Sequence, residues 1–125
     1  MKFTEHRDSQ INMIKHYSPG QVTVNDQPIE QSCIVTQSQL FTDWAVKDLA
    51  SLNEQHIERL LALEPEVLLL GVGEDQVFPE PKVFAQCARA GLSLEVMNNA
   101  SACRTYNVLT TEERIVVLGL IISAD

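Results

Sequence analysis

The chain contains no G-x-S-x-G elbow, no H-E-x-x-H pair and no phosphate loop ending in Gly-Lys-Ser or Gly-Lys-Thr. Those absences remove the sequence-readable forms of a hydrolase nucleophile, a zinc protease and a P-loop nucleotide site. Basic charge is also scarce, with nine Lys and Arg against seventeen Asp and Glu and a net charge of −8. Lys2, Arg7, Lys15, Lys47, Arg59, Lys82, Arg89, Arg104 and Arg114 are scattered along the chain rather than clustered. A surface of this sign repels phosphate backbones and anionic lipid, so nucleic acid is not an expected partner. The three cysteines, Cys33, Cys87 and Cys103, are widely spaced and form no C-x-x-C pair. Neither zinc nor a disulfide framework is expected from them. The start, Met1 to Asp8, lacks an apolar stretch and carries acids. It therefore reads as neither a secretory nor a mitochondrial leader. The apolar runs Val67–Leu70 and Ile115–Ile122 are too short to span a bilayer, so membrane insertion is not expected. A cytoplasmic location follows from these features taken together.

What is present fits one domain, residues 1–125, with 45% hydrophobic residues to fill a core. The first forty residues show short β-branched runs separated by turn chemistry. Ser18-Pro19-Gly20 is a turn, Val22-Thr23-Val24 a strand, Asn25-Asp26 with Pro28 a second turn, and Ile29–Thr36 a further strand. This half predicts an antiparallel meander. The second half alternates. Asn53 or Ser51 caps a helix striped by Ile57, Leu60 and Leu61 and stopped by Pro65. Glu66–Gly71 reads as a strand buried on both faces. A helix begun by Pro79 and Pro81 carries Val83, Phe84, Cys87 and Ala88 on one face and ends at Gly91. A strand through Leu92, Leu94 and Val96 follows, then a helix from Asn98 or Asn99 to about Thr110, and a last strand at Ile115–Ile122 with Gly119 leaving room for a neighbour. The expected fold is mixed α/β. An antiparallel β-rich N-terminal half joins a parallel β-α-β-α-β C-terminal half in a three-layer, β/β/α-like single domain, with one mixed sheet or two. Trp44 is expected to plug the joint between the halves.

Right-handed crossovers would place two stretches side by side at the carboxyl edge of the parallel strands, where ligands of open α/β sheets bind. Gly71-Val72-Gly73 opens like a dinucleotide fingerprint, but position 76 is Gln76 and no third glycine follows. A tight strand exit is the competing reading. In the second stretch, Asn98 and Asn99 precede small Ala100, Ser101 and Ala102, so a ligand could approach the helix N–H groups. Asparagine capping with close helix–sheet packing is the competing reading there. The candidate ligand residues are Gly71, Val72, Gly73, Asn98, Asn99, Arg104, Tyr106 and Asn107, with Arg104 as anion partner. Tyr106 shares a helical stripe with Ala102 and Leu109, which suits a core ring whose hydroxyl is tied to a polar neighbour. Cys103 is a candidate redox thiol, since a helix start and Arg104 favour thiolate, with buried packing as its alternative. His6, His16 and His56 have no ligand spacing, and Glu112-Glu113 reads as a solvated turn. No catalytic residue, metal or cofactor is assigned.

The segments Pro65–Gly73, Glu95-Val96-Met97, Ala102-Cys103-Arg104-Thr105-Tyr106-Asn107, Val24-Asn25 and Ser32–Thr36 occur in an order and spacing that resembles one family. It is the family of small conserved α/β proteins that includes mitochondrial complex I assembly factor three. The resemblance implies a β-rich first half, a parallel second half and, for the mitochondrial relative, a non-enzymatic role binding protein partners during assembly. The chain departs from the family pattern at Val72, where Gly-Thr-Gly is usual, at Asn98-Asn99 in place of Asp-Thr, and at Glu113 in place of glycine.

The reading that follows is a non-catalytic binding or assembly-type module, with a protein partner and a homo-oligomer both compatible with its surface. The alternative is a binder of small anionic metabolites, or an unrecognised enzyme, using the Gly71–Gly73 and Asn98–Asn107 edge.

Overall fold

The computed structural model describes residues 11–123; His6 and the opening Met1–Asp8 stretch lie outside them. Strands β1 (Ile14–Ser18), β2 (Gln21–Val24) and β3 (Gln27–Ile29) form an antiparallel meander. Its first turn is Pro19-Gly20, with Gly20 at φ 87°; its second opens on Asn25 at φ 55°. These left-handed conformations are tolerated by glycine and, among other residues, best by asparagine.

The expected single strand over Ile29–Thr36 is in fact two. The chain leaves the meander after Ile29 and re-enters as β4 (Cys33–Thr36) in a second, larger sheet. Ser32 makes the switch. Its buried hydroxyl donates to the Val46 carbonyl at 2.5 Å and accepts from the Ile122 N–H at 2.9 Å. These bonds fasten the chain to the larger sheet where the ladder to β2 stops. The larger sheet has five strands in the order β5-β4-β8-β6-β7, with β5 at Leu40–Phe41, β6 at Val67–Gly71, β7 at Leu94–Met97 and β8 at Val116–Leu120. β6 pairs in parallel with both β7 and β8, while β4 runs antiparallel to β8. The parallel half is therefore as the alternating sequence pattern predicts.

Among the described residues there are three α-helices, α1 (Glu54–Leu61), α2 (Pro81–Arg89) and α3 (Asn99–Thr110), and a 3-10 turn at Leu49–Ser51. Asn53 caps α1, accepting from the His56 N–H while His56 Nδ1 accepts from the Asn53 N–H, both at 3.0 Å. Asn98 caps α3, its Oδ1 accepting from the Ser101 N–H at 2.8 Å. From β6 the chain steps one place to β7, then back past β6 to β8. Crossovers of one hand running in opposite directions must lie on opposite faces, and they do. Leu68, Leu70, Val96 and Val117 pack with Ile57, Leu60, Val83 and Cys87 of α1 and α2. Leu69, Val116, Leu118 and Leu120 pack with Ala102, Cys103 and Tyr106 of α3 and with Val22, Val24 and Ile29 of the meander. Alternate side chains of β6 and β8 serve the two cores, which is why both strands are apolar at nearly every position.

Trp44 lies on the α1–α2 face and not between the two sheets. Its Nε1 donates to the His56 carbonyl at 3.1 Å, and its ring lies over β8 at Gly119. A Cβ at position 119 would stand 2.8 Å from Trp44 Cη2 and 3.2 Å from Leu60 Cδ1. Gly119→Ala is expected to cost about 1–3 kcal/mol through overpacking. Urea unfolding followed by tryptophan fluorescence measures it, and an unchanged midpoint would mean that the indole can slide away.

Candidate functional site

The carboxyl ends of β6 and β7 meet at a rim where one chain exit turns toward α2 and the other enters α3. The Val72 N–H donates to the Met97 carbonyl at 3.0 Å, extending the ladder one residue beyond the strands. Asn99 and Gly73 then bond reciprocally, the Asn99 N–H to the Gly73 carbonyl at 2.7 Å and the Gly73 N–H to Asn99 Oδ1 at 3.0 Å. The Asn99 amide nitrogen donates to the Ile121 carbonyl at 2.9 Å and to the Tyr17 hydroxyl at 3.0 Å. Tyr17 in turn donates a short hydrogen bond to Glu74. With Asn99 only 1% exposed, its carboxamide is spent on β1, the β6 exit and the β8 exit together. Gly71 makes room for it: a Cβ there would lie 2.5 Å from Asn99 Oδ1 and 2.6 Å from Leu120 Cδ1. Gly73 sits at φ 113°, a region that side-chain-bearing residues avoid.

The structure thus brings Gly71, Val72, Gly73, Asn98 and Asn99 together. It does not bring Tyr106 and Asn107 to that rim. The Tyr106 hydroxyl donates to the Asn12 carbonyl at 2.8 Å. The Asn107 carboxamide accepts from the Ile14 N–H at 2.9 Å and donates to the Ile14 carbonyl at 2.8 Å, acting as an extra strand beside β1. Val72 is buried in the α1–α2 core. Arg104 is exposed and leans back on Ser101 Oγ at 3.2 Å, in the first turn of α3. Cys103 is buried, and that burial pushes its thiol up to about 12, outweighing Arg104, which pulls it down. The direction is opposite to thiolate activation, because low-polarity surroundings penalise the charged form.

Sequence reading did not find Tyr17, Glu74, Gln76 or Ile121. Gln76, at the position of the missing third glycine, donates to the Val96 carbonyl at 3.0 Å and covers part of the β7 edge. Val77 and Phe78, in the same loop, are 55% and 62% exposed. The one available signal for these two was an apolar pair inside an otherwise acidic and proline-rich loop. Among the described residues, no group of His, Cys, Asp and Glu could hold a metal ion, and no helix is long and apolar enough to cross a membrane.

The two sheets, the helices on both faces and the self-bonded rim define a mixed α/β protein of the two-sheet kind. The chain belongs to the family described as "Protein of unknown function (DUF498/DUF598)", whose model matches residues 14–121. A 13 kDa major membrane protein of Francisella tularensis is 34% identical over 102 residues, covering 80% of this chain and 82% of that protein. The NADH dehydrogenase [ubiquinone] 1 alpha subcomplex assembly factor 3 of Danio rerio is 28% identical, and the match covers 87% of this chain but only 63% of the longer relative. The NMR structure of a Xanthomonas campestris protein is 41% identical with a TM-score of 0.83, covering 90% of this chain and 86% of that one.

Asn99→Ala would leave the buried Ile121 carbonyl and the half-buried Gly73 N–H without partners, at a cost of about 3 kcal/mol. Asn98→Ala, which removes a cap, is expected to cost about 1 kcal/mol. Equal losses in paired denaturant titrations would remove the special place given to Asn99. A second expectation concerns pH. Burial, followed by the bond to Glu74, raises Tyr17 to about 12, with Asn99 acting in the other direction; burial raises Tyr106 and Cys33 to about 12 as well. All three groups, like Cys103, are neutral when protonated and have folded values above their unfolded ones. Their stabilising effect is therefore intact below the unfolded values, near 9 for thiols and 10 for phenols, and is lost as pH rises toward 12. The melting temperature should fall between those limits, with tyrosinate absorbance appearing together with unfolding. At neutral pH, maleimide should label Cys33, Cys87 and Cys103 only after denaturant is added.

Proposed function

We propose that this chain is a non-catalytic, assembly-type module that acts as one domain in the cytoplasm by binding another protein. The carrying observation is the rim itself. The carboxamide that sequence places at the ligand edge is consumed by internal hydrogen bonds, while two large apolar side chains of the loop that leaves the rim, Val77 and Phe78, face solvent. A buried polar network of that kind fixes backbone, and exposed apolar side chains of that size favour contact with another macromolecule. Relatives named as NADH dehydrogenase assembly factors point the same way, and a subunit of that complex is the partner class to test.

A second reading keeps an anion site at the start of α3, favoured by the exposed Arg104 guanidinium lying against Ser101 in its first turn. Affinity purification of the full chain from its native host, followed by crosslinking, should recover an NADH dehydrogenase subunit in stoichiometric amount. Amide shift mapping with inorganic phosphate supplies the contrast: shifts focused on Asn99–Arg104, with no subunit recovered, would replace the first reading by the second.

A further inference from the structure

The loop leaving β6 does more than connect it to α2. Its Val77 and Phe78, with Val83 of α2 and with Leu49, Ala50 and Leu52, line a groove of about 480 Å³. Phe78 is not buried in the groove; its ring stacks at a tilt on Phe84 of α2 with centroids 6.4 Å apart, which extends the apolar strip along the helix. Acidic groups frame the strip. The loop carries exposed Asp75 and Glu80, and exposed Asp48 precedes Leu49, whereas Glu74 is held by Tyr17 of β1. The nearby bases are Lys47 and Lys82, and Lys82 is already bridged to Glu80 at 3.4 Å.

We propose that this groove docks a basic, amphipathic segment of a partner protein, with Val77 and Phe78 as its apolar anchors. This rests on the binding-module reading above and adds the chemistry of the partner. An apolar strip supplies the desolvated centre of such a contact, and exposed aromatic side chains commonly dominate its energy. The acidic frame on a chain of net charge −8 selects against acidic partners and steers basic ones. Apolar residues on one helical face with Lys or Arg flanking them match both features at once.

The test is titration of the full-length, isotope-labelled chain with three probes: an amphipathic leucine–lysine peptide, the same peptide with glutamate for lysine, and phosphatidylcholine vesicles. The lysine peptide should shift amides of Leu49–Leu52 and Val77–Val83 and bind less tightly as salt rises. The glutamate peptide should not bind. Phe78→Asp should weaken the lysine peptide by about tenfold or more with the melting temperature unchanged, because the ring is exposed. Equal binding of both peptides, shifts elsewhere, no binding, or Phe78-dependent binding to vesicles alone would each overturn the proposal. Purification from the native host separates the two levels. If Phe78→Asp still recovers the NADH dehydrogenase subunit, the groove assignment fails and the module reading stands. If the lysine peptide docks as expected but the unaltered chain recovers no subunit, the module reading fails and the docking chemistry stands.

Discussion

Asn99 joins three stretches of chain that reach the rim from separate parts of the sequence, two through their backbone and one through a tyrosine hydroxyl. Its Oδ1 holds the Gly73 N–H, and its amide nitrogen holds the Ile121 carbonyl and the Tyr17 hydroxyl. Those partners lie 26, 22 and 82 residues away in sequence. A buried amide has one acceptor and two donor hydrogens to satisfy, and here each finds a partner at 2.9–3.0 Å. The cost of leaving any of them unpaired away from water is what fixes the β6 exit, the β8 exit and β1 relative to one another. Gly71 exists as glycine because that amide occupies the space a Cβ would need.

The rest of the molecule follows from that joint and from the sheet beneath it. With α3 anchored at its first residue, its inner face lies over Leu69, Leu118 and Leu120, and its later turns reach Asn12 through Tyr106 and β1 through Asn107. The meander is thereby held against the same sheet face as α3. The opposite face is left to α1, α2 and Trp44, where Gly119 lets the indole approach β8. The rim loop between Gly73 and Pro81 is tied down by Glu74 and Gln76 at its start, and it presents Val77 and Phe78 outward.

Much of this was legible along the chain, for identifiable reasons. The unbroken apolar runs of β6 and β8 signalled burial on both faces, and the 3.6-residue stripe of Ile57, Leu60 and Leu61 with Asn53 before it signalled α1. Alternation of helix and strand gave the parallel half, and from it the adjacency of Gly73 and Asn99. The break at Ser32 was not legible. Cys33–Thr36 continues the β-branched character of Ile29, and only bonds to Val46 and Ile122 divide the run between two sheets. Nor could the pattern show whether Asn99 faced a ligand or the protein, because a helix-start asparagine is suited to both.

By itself, the sequence determined the helices, the strands of the second half, their order and parallel pairing, and the negative net charge, because periodicity, capping and charge are local properties. The tertiary structure alone decided which residues of the edge stay available. Tyr17, Gly73 and Ile121 become neighbours of Asn99 only after the chain has crossed the sheet twice. Whether a polar side chain is free or spent depends on partners that are distant in sequence.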